Sequence, residues 1–166
     1  MKKVSVVILN YKLKDQTIEC IASVMKSTYQ NLEIIVVDNN SQDGIENEIN
    51  QEEVIFLQTG FNLGYTGGNN IGIKAALANN ASYIFILNPD TTVESTTIEK
   101  LYYCAEKTKS GIIGPKILFS DPKKIWYAGG IFDSLNVIGS HRGVNEEDQG
   151  QFNKELVIAK IKEKLL

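Results

Sequence analysis

The chain has 166 residues, about one domain's worth, with 43% hydrophobic and 22% charged residues, 13 Gly and 3 Pro; this composition excludes the disordered, collagenous and coiled-coil classes. Seventeen Lys and Arg against 20 Asp and Glu give a net charge of -3, so no basic field exists to hold a nucleic-acid backbone and nucleic acid is not an expected partner. Cys20 and Cys104 form no CxxC pair and His141 is the sole histidine, which excludes a disulfide framework, a zinc knuckle and any scheme needing two imidazoles.

Val4 to Leu9 (VSVVIL) opens the chain as a strand. The run breaks at Asn10, too short for a signal peptide, and no apolar stretch approaches the roughly 18 residues of a membrane span. The expectation is a cytoplasmic protein without a transmembrane segment, with peripheral association at the inner face of the membrane as the only contact with lipid. Asp15 to Lys26 follows with Ile18, Ile21, Ala22, Val24 and Met25 at helical spacing. Strands Leu32 to Val37 (LEIIVV) and Val54 to Leu57 (VIFL) come next, then a helix over Asn69 to Ala78, a strand over Tyr83 to Leu87 (YIFIL), and a helix over Ser95 to Lys107. Near-continuous apolar strands alternating with helices predict a parallel sheet covered on both faces.

After Gly111 the rhythm changes. GIIGPKILF reads as a strand interrupted at Gly114 and Pro115, and IWYAGGIFDSLNVIG reads as short antiparallel strands with a turn at Gly129 and Gly130. The expected fold is therefore a single α/β domain over 1–153 with a mostly parallel mixed sheet. Residues 154–166 (KELVIAKIKEKLL) read as a C-terminal helical tail.

Every strong strand ends in a small polar cluster: Asn10 and Tyr11 after the first, Asp38 to Asp43 after the second, Asn62 to Asn70 (NLGYTGGNN) beyond the third, and Asn88 to Thr92 (NPDTT) after the fourth. In an open parallel sheet these tips share the carboxyl edge, where ligands bind. Each tip taken singly also reads as an ordinary turn, since Asn, Asp and Gly are the usual turn formers. Gly64, Gly67 and Gly68 precede a helical pattern and would let backbone approach an anionic group. The segment is neither GxGxxG nor GxxxxGK[ST], so dehydrogenases and P-loop kinases are disfavoured. Asp90, between Pro89 and Thr91, suits a divalent cation that takes its other ligands from a diphosphate and water, and equally suits the cap of the helix that follows. Asn39 and Asn80 head glycosylation sequons, read as coincidence without a secretory signal.

The set VVILNYK, VVDNNSQDG, NLGYTGGNNIGI and FILNPDTTV, in this order and spacing, resembles family 2 glycosyltransferases, most closely the bacterial branch that includes rhamnosyltransferases. The resemblance runs from about Lys2 to Asp148. It implies a GT-A fold, a Rossmann-like nucleotide-diphospho-sugar domain that takes a UDP- or dTDP-sugar donor and Mg2+ or Mn2+, with inverting transfer to the hydroxyl of a saccharide or lipid-linked acceptor in cell-surface polysaccharide synthesis. It also implies that Asp38 reads the imide of uracil or thymine, that Asn10 and Tyr11 line the base pocket, that Asn40 belongs to the nucleotide-sugar-binding set, and that Gly67, Gly68 and Asn69 close on the nucleotide. Asn88, Pro89 and Asp90 stand where the family has its DxD signature, with Asp90 as metal ligand and Asn88 near the ribose. The family's general base lies in an acidic motif beyond the last matched segment. The resemblance therefore implies a chain that stops before that base, and no catalytic residue is assigned. Glu146, Glu147 and Asp148 read as a solvated turn rather than substitutes. Trp126 and Tyr127 read either as core or as a stacking surface for an acceptor. The rival function is a noncatalytic nucleotide-sugar-binding fragment.

Overall fold

The computed structural model describes residues 1–120, 124–133 and 138–153; the tail expected as a helix over 154–166 lies outside them. They fall into two compact units, Met1–Glu99 and Lys100–Leu166, with the boundary inside a helix.

The first unit is built on four parallel strands, β1 (Val4–Asn10), β2 (Leu32–Asp38), β3 (Ile55–Gln58) and β4 (Tyr83–Leu87), in the order β3-β2-β1-β4. Helix α1 (Lys14–Met25) joins β1 to β2, and α2 (Gly64–Ala78) joins β3 to β4. Strand order reverses between β1 and β4, which makes the carboxyl edge beside them the topological switch point where open α/β sheets bind ligands.

All seven β1 residues are buried, as a central strand covered on both faces requires. Parallel register pairs Val7 with Ile35 and Leu9 with Val37, placing these on one face, where Ile71, Ala75 and Ala76 of α2 pack. Each Val or Ile side chain buried there contributes about 1.5–3 kcal/mol relative to exposure. The opposite face carries Asn10 in register with Asp38, and α1 covers it through Thr17, whose hydroxyl reaches Asn10 Oδ1 at 2.9 Å.

Two helices depart from the expected pattern. α1 buries Thr17, Cys20, Ile21 and Val24, whereas Ala22 is exposed and Met25 is 43% exposed. The buried stripe includes a threonine and a cysteine because both find acceptors inside, Thr17 at Leu13 O and Asn10 Oδ1 and Cys20 at Asn88 O. α2 starts at Gly64, not Asn69. Its first turn forms because Asn39 Oδ1 accepts from Leu63 N at 2.9 Å and Asn62 Oδ1 from Gly64 N at 2.8 Å, pairing amide donors that a helix start otherwise leaves open.

In the second unit, β5 (Ile117–Leu118) pairs antiparallel with β6 (Ile125–Tyr127), and β7 (Gly130–Asp133) with β8 (Ile138–His141). The antiparallel pairing expected after Gly111 is present, but in two-stranded sheets of its own. No β6–β7 hairpin closes over Gly129 and Gly130 in the way the sequence suggested. Ala128 N donates to Arg142 O and Arg142 N to Gly129 O, so the chain passing those glycines bonds to the end of β8 instead. Helix α3 (Thr97–Thr108) carries the boundary between the units.

Candidate functional site

At the carboxyl edge of the parallel sheet, hydrogen bonds tie the four strand ends together. Asn10 is fully buried and Asp38 is 1% exposed. Asn10 Nδ2 lies 2.8 Å from Asp38 Oδ1, 2.9 Å from Ser41 Oγ and 3.1 Å from Asp43 Oδ2. Its Oδ1 accepts from Thr17 Oγ1 and Leu13 N. Ser41 donates its hydroxyl to Asp38 Oδ1 and its amide, at 3.1 Å, to Asp38 Oδ2. A carboxylate holding three donors is satisfied without water, so burial of the ionised form is tolerated. This is an ordinary turn of the kind that each tip, taken singly, also permitted, and it leaves Asp38 shielded. Asn40 and Gln42 both stand at left-handed φ, 61° and 56°, so the turn that shields Asp38 is tight.

Asn39, 2% exposed, bridges the second tip to the third: its Nδ2 donates to Asn62 Oδ1 at 2.9 Å and to Gly64 O at 3.3 Å. Asn39, one of the polar residues expected after the second strand, thus serves as a link between tips.

The third tip reaches the fourth through Tyr65, 61% exposed, whose hydroxyl donates to Asn88 Oδ1 at 3.0 Å. Gly67 and Gly68 lie inside α2 rather than in a loop before it. A Cβ on Gly68 would sit under 3.0 Å from Leu9 Cδ1 and 3.1 Å from Cδ2, and one on Gly72 would be 3.0 Å from Val37 Cγ2. Gly68 and Gly72 thus let the helix backbone close on β1 and β2. Gly68 is buried by that contact, and Gly67 is half-buried. Asn69, 4% exposed, donates through Nδ2 to Tyr65 O at 3.0 Å, while its Oδ1 is buried without a partner. A buried acceptor left unpaired costs about 1–3 kcal/mol, so its retention calls for a reason.

On the fourth tip, Thr91 donates through N and Oγ1 to Asn88 O at 3.3 and 2.6 Å, closing the Asn88–Thr91 turn. Asp90 is exposed, and no hydrogen bond or ion pair engages its carboxylate among the described residues. It caps no helix, since α3 begins at Thr97. Its charge is felt beneath: burial first, then Asp90, pushes the Cys20 thiol up to about 12.

Tyr11, 40% exposed, holds Lys12 Nζ 5.3 Å above its ring. The edge therefore offers three carboxylates, Asp38, Asp43 and Asp90, against one exposed cation following β1, Lys12. Among the described residues no three His, Cys, Asp or Glu side chains assemble into a metal cage. A hard cation would take one ligand from Asp90 and the remainder from a ligand and water, the donor chemistry of Mg2+ or Mn2+.

In the second unit Glu146 and Glu147 are exposed. Asp148 is held by Lys116 Nζ at 2.5 Å, and that bond together with the Gly150 amide draws its carboxyl below the usual range. Trp126, 41% exposed, meets His141 edge-on at 4.8 Å, and Tyr127 meets it at 5.1 Å. No described helix is long and apolar enough to cross a membrane.

Residues 5–157 match the family model "Glycosyl transferase family 2". The low-salt glycan biosynthesis hexosyltransferase of Haloferax volcanii is 32% identical over 119 residues, 69% of this chain and 36% of that protein. The Escherichia coli UDP-Glc:alpha-D-GlcNAc-diphosphoundecaprenol beta-1,3-glucosyltransferase WfaP is 30% identical over 112 residues, 66% of this chain and 43% of that protein. The chain thus spans about two fifths of the length of these curated relatives. Among solved structures, Staphylococcus aureus TarS 1-349 in complex with UDP-GlcNAc superposes with a TM-score of 0.57 at 20% identity, covering 72% of this chain and 38% of that one. The Pyrobaculum calidifontis mannosyltransferase PcManGT, in complex with GDP-Man and Mn2+, gives 0.54 at 18% identity, covering 60% and 31%. At such identities these likenesses show the fold, an α/β GT-A fold, and no more.

Proposed function

The chain belongs to glycosyl transferase family 2, and from that premise we propose that its carboxyl edge binds the nucleoside diphosphate of an activated hexose for transfer to an acceptor hydroxyl. One observation carries this reading. Asp38 and Asp43 are engaged by protein donors, while Asp90, at the same edge beside the switch point, is exposed without a partner among the described residues.

A nucleoside diphosphate brings at least two negative charges to an edge whose acids outnumber its cation. Asp90 would hold a divalent cation, with the diphosphate and water completing its shell, and Lys12 would lie near the phosphates. When bound, such a cation supplies charge neutralisation of the departing diphosphate. Tyr11 and Asn40 border the base. Imide recognition by Asp38, which implies a UDP- or dTDP-linked donor, requires the turn at 39–42 to open, because that carboxylate is 1% exposed. Asn69 supplies an acceptor that the free protein leaves unpaired. In the transfer, the acceptor oxygen bonds to the anomeric carbon as the bond from that carbon to the diphosphate oxygen breaks, inverting the centre, and the hydroxyl proton passes to a general base. The acceptor is a saccharide or a lipid-linked saccharide, the latter placing the reaction at the inner face of the membrane. Residues 1–153 work as one domain in this reading, and the family match running through both compact units supports it.

Calorimetric titration with UDP, dTDP and CDP, with and without Mn2+, tests the proposal. UDP and dTDP should bind more tightly than CDP, because cytosine presents an acceptor where uracil and thymine present a donor. Mn2+ should strengthen binding in the native chain and not in Asp90→Asn. Equal affinity for the three bases would remove Asp38 from base reading, and a metal effect that survives in Asp90→Asn would move the cation elsewhere.

A further inference from the structure

The Asn88 side chain is an amide where two carboxylates would offer acceptors only, so its orientation decides what it can recognise. Its Oδ1 accepts from Tyr65 at 3.0 Å, and among the described residues no protein acceptor takes Nδ2. Its backbone carbonyl is occupied by Thr91 N, Thr91 Oγ1 and Cys20 Sγ, which fixes the residue's position and leaves the amide rotor to Tyr65. Tyr65 is 61% exposed, so its hydroxyl could be solvated equally well by water and gains no core packing from this bond. Its backbone is held in turn, because Tyr65 O accepts from the buried Asn69.

We propose that Tyr65 is a positioning residue for the donor site: its hydroxyl turns the Asn88 amide so that Nδ2 is presented to the ligand as a donor, and Asp90 is left as the protein ligand of the cation. The inference rests on the donor-site reading above. It deepens that reading by giving Tyr65 the task of orienting Asn88, already expected near the ribose, so that its Nδ2 faces a ligand oxygen. A phenylalanine at 65 would keep the ring and lose the choice of amide face.

Two readouts test this on the 166-residue chain. In the ligand-free protein, the side-chain amide 1H–15N signals of Asn88 should shift in Tyr65→Phe, with the melting temperature unchanged; unmoved signals overturn the latch whatever binds. With Mn2+ present, Tyr65→Phe should weaken UDP binding by about 3- to 10-fold, the range expected for one hydrogen bond, and should cost nothing further in an Asn88→Ala background. An equal loss in both backgrounds overturns the proposal, because the hydroxyl would then touch the ligand itself. Asn88 signals that shift in Tyr65→Phe, together with a native chain that binds no UDP, refute the donor-site reading, and with it the positioning role, while leaving the Tyr65–Asn88 bond itself confirmed.

Discussion

Gly68→Ala separates a glycine kept for packing from one kept for a ligand. The added Cβ would sit under 3.0 Å from Leu9 Cδ1 and 3.1 Å from Cδ2, and Leu9 is 7% exposed in the central strand, so relief requires that buried side chain to turn within a packed interior. Overpacking of this kind costs about 1–3 kcal/mol. Alanine's better helix propensity returns about 1 kcal/mol at a position inside α2. The net expectation is a loss of about 0–2 kcal/mol, and a chain of this size melts roughly 2–4 °C lower for each kcal/mol. Thermal and urea unfolding should show that loss, with UDP affinity falling only as far as the folded population falls. In a Leu9→Ala background the added methyl enters the space vacated and should stabilise, giving a coupling of about 0.5–3 kcal/mol between the sites. Gly72→Ala, one turn further along against Val7 and Val37, should destabilise similarly. A Gly68→Ala chain as stable as native but unable to bind nucleotide would refute the packing assignment.

Asp38→Ala strips three donors of their acceptor and should cost about 1–3 kcal/mol in urea unfolding; an unperturbed midpoint would mean that the turn is held by other contacts. Asn69→Leu removes a buried unpaired oxygen along with one hydrogen bond, so stability should hold or rise by about 1–2 kcal/mol while UDP affinity drops. A destabilised variant with native affinity would make Asn69 a core link instead. The Asp148 carboxyl is depressed by its bond to Lys116, so its contribution is complete above the unfolded value of about 3.9 and is lost as pH falls through the lower folded value. The acid limb of a stability profile should accordingly flatten in Asp148→Asn, and an identical limb would rule this pair out. With its thiol at about 12, Cys20 is about one part in ten thousand thiolate at pH 8 and should resist iodoacetamide until the protein unfolds; rapid alkylation of the native chain would contradict its burial.

The parallel sheet was legible to within a residue at most strand ends, because runs such as VSVVIL and LEIIVV are too apolar for anything but a doubly covered strand. Asn10 and Asp38 were legible as neighbours, since each ends a strand and parallel register then pairs them. The start of α2 was not, because Gly64, Gly67 and Gly68 read locally as a loop, and the packing use of Gly68, like that of Gly72, becomes visible only when Leu9 and Val37, more than thirty residues earlier in the chain, lie against them. The buried stripe of α1 was misread for a similar reason: Thr17 and Cys20 are acceptable inside only because Asn10 and Asn88 supply acceptors. The partners of β6 and β7 went wrong because two adjacent glycines suggest a hairpin whether or not the flanking strands face each other. Tyr65 drew no notice, since its partner lies 23 residues away on another strand tip.

Paramagnetic broadening by Mn2+ tests most directly whether a cation and a diphosphate converge on Asp90. Amide signals of Asn88, Asp90 and Thr91 and of the first turn of α2, Gly64 onward, should broaden when Mn2+ and UDP are added together to the native chain. Those of Lys3 and Glu33, at the opposite edge of the sheet, should stay sharp, and the pattern should vanish in Asp90→Asn. Broadening centred away from Asp90, or an unchanged pattern in Asp90→Asn, would contradict the site.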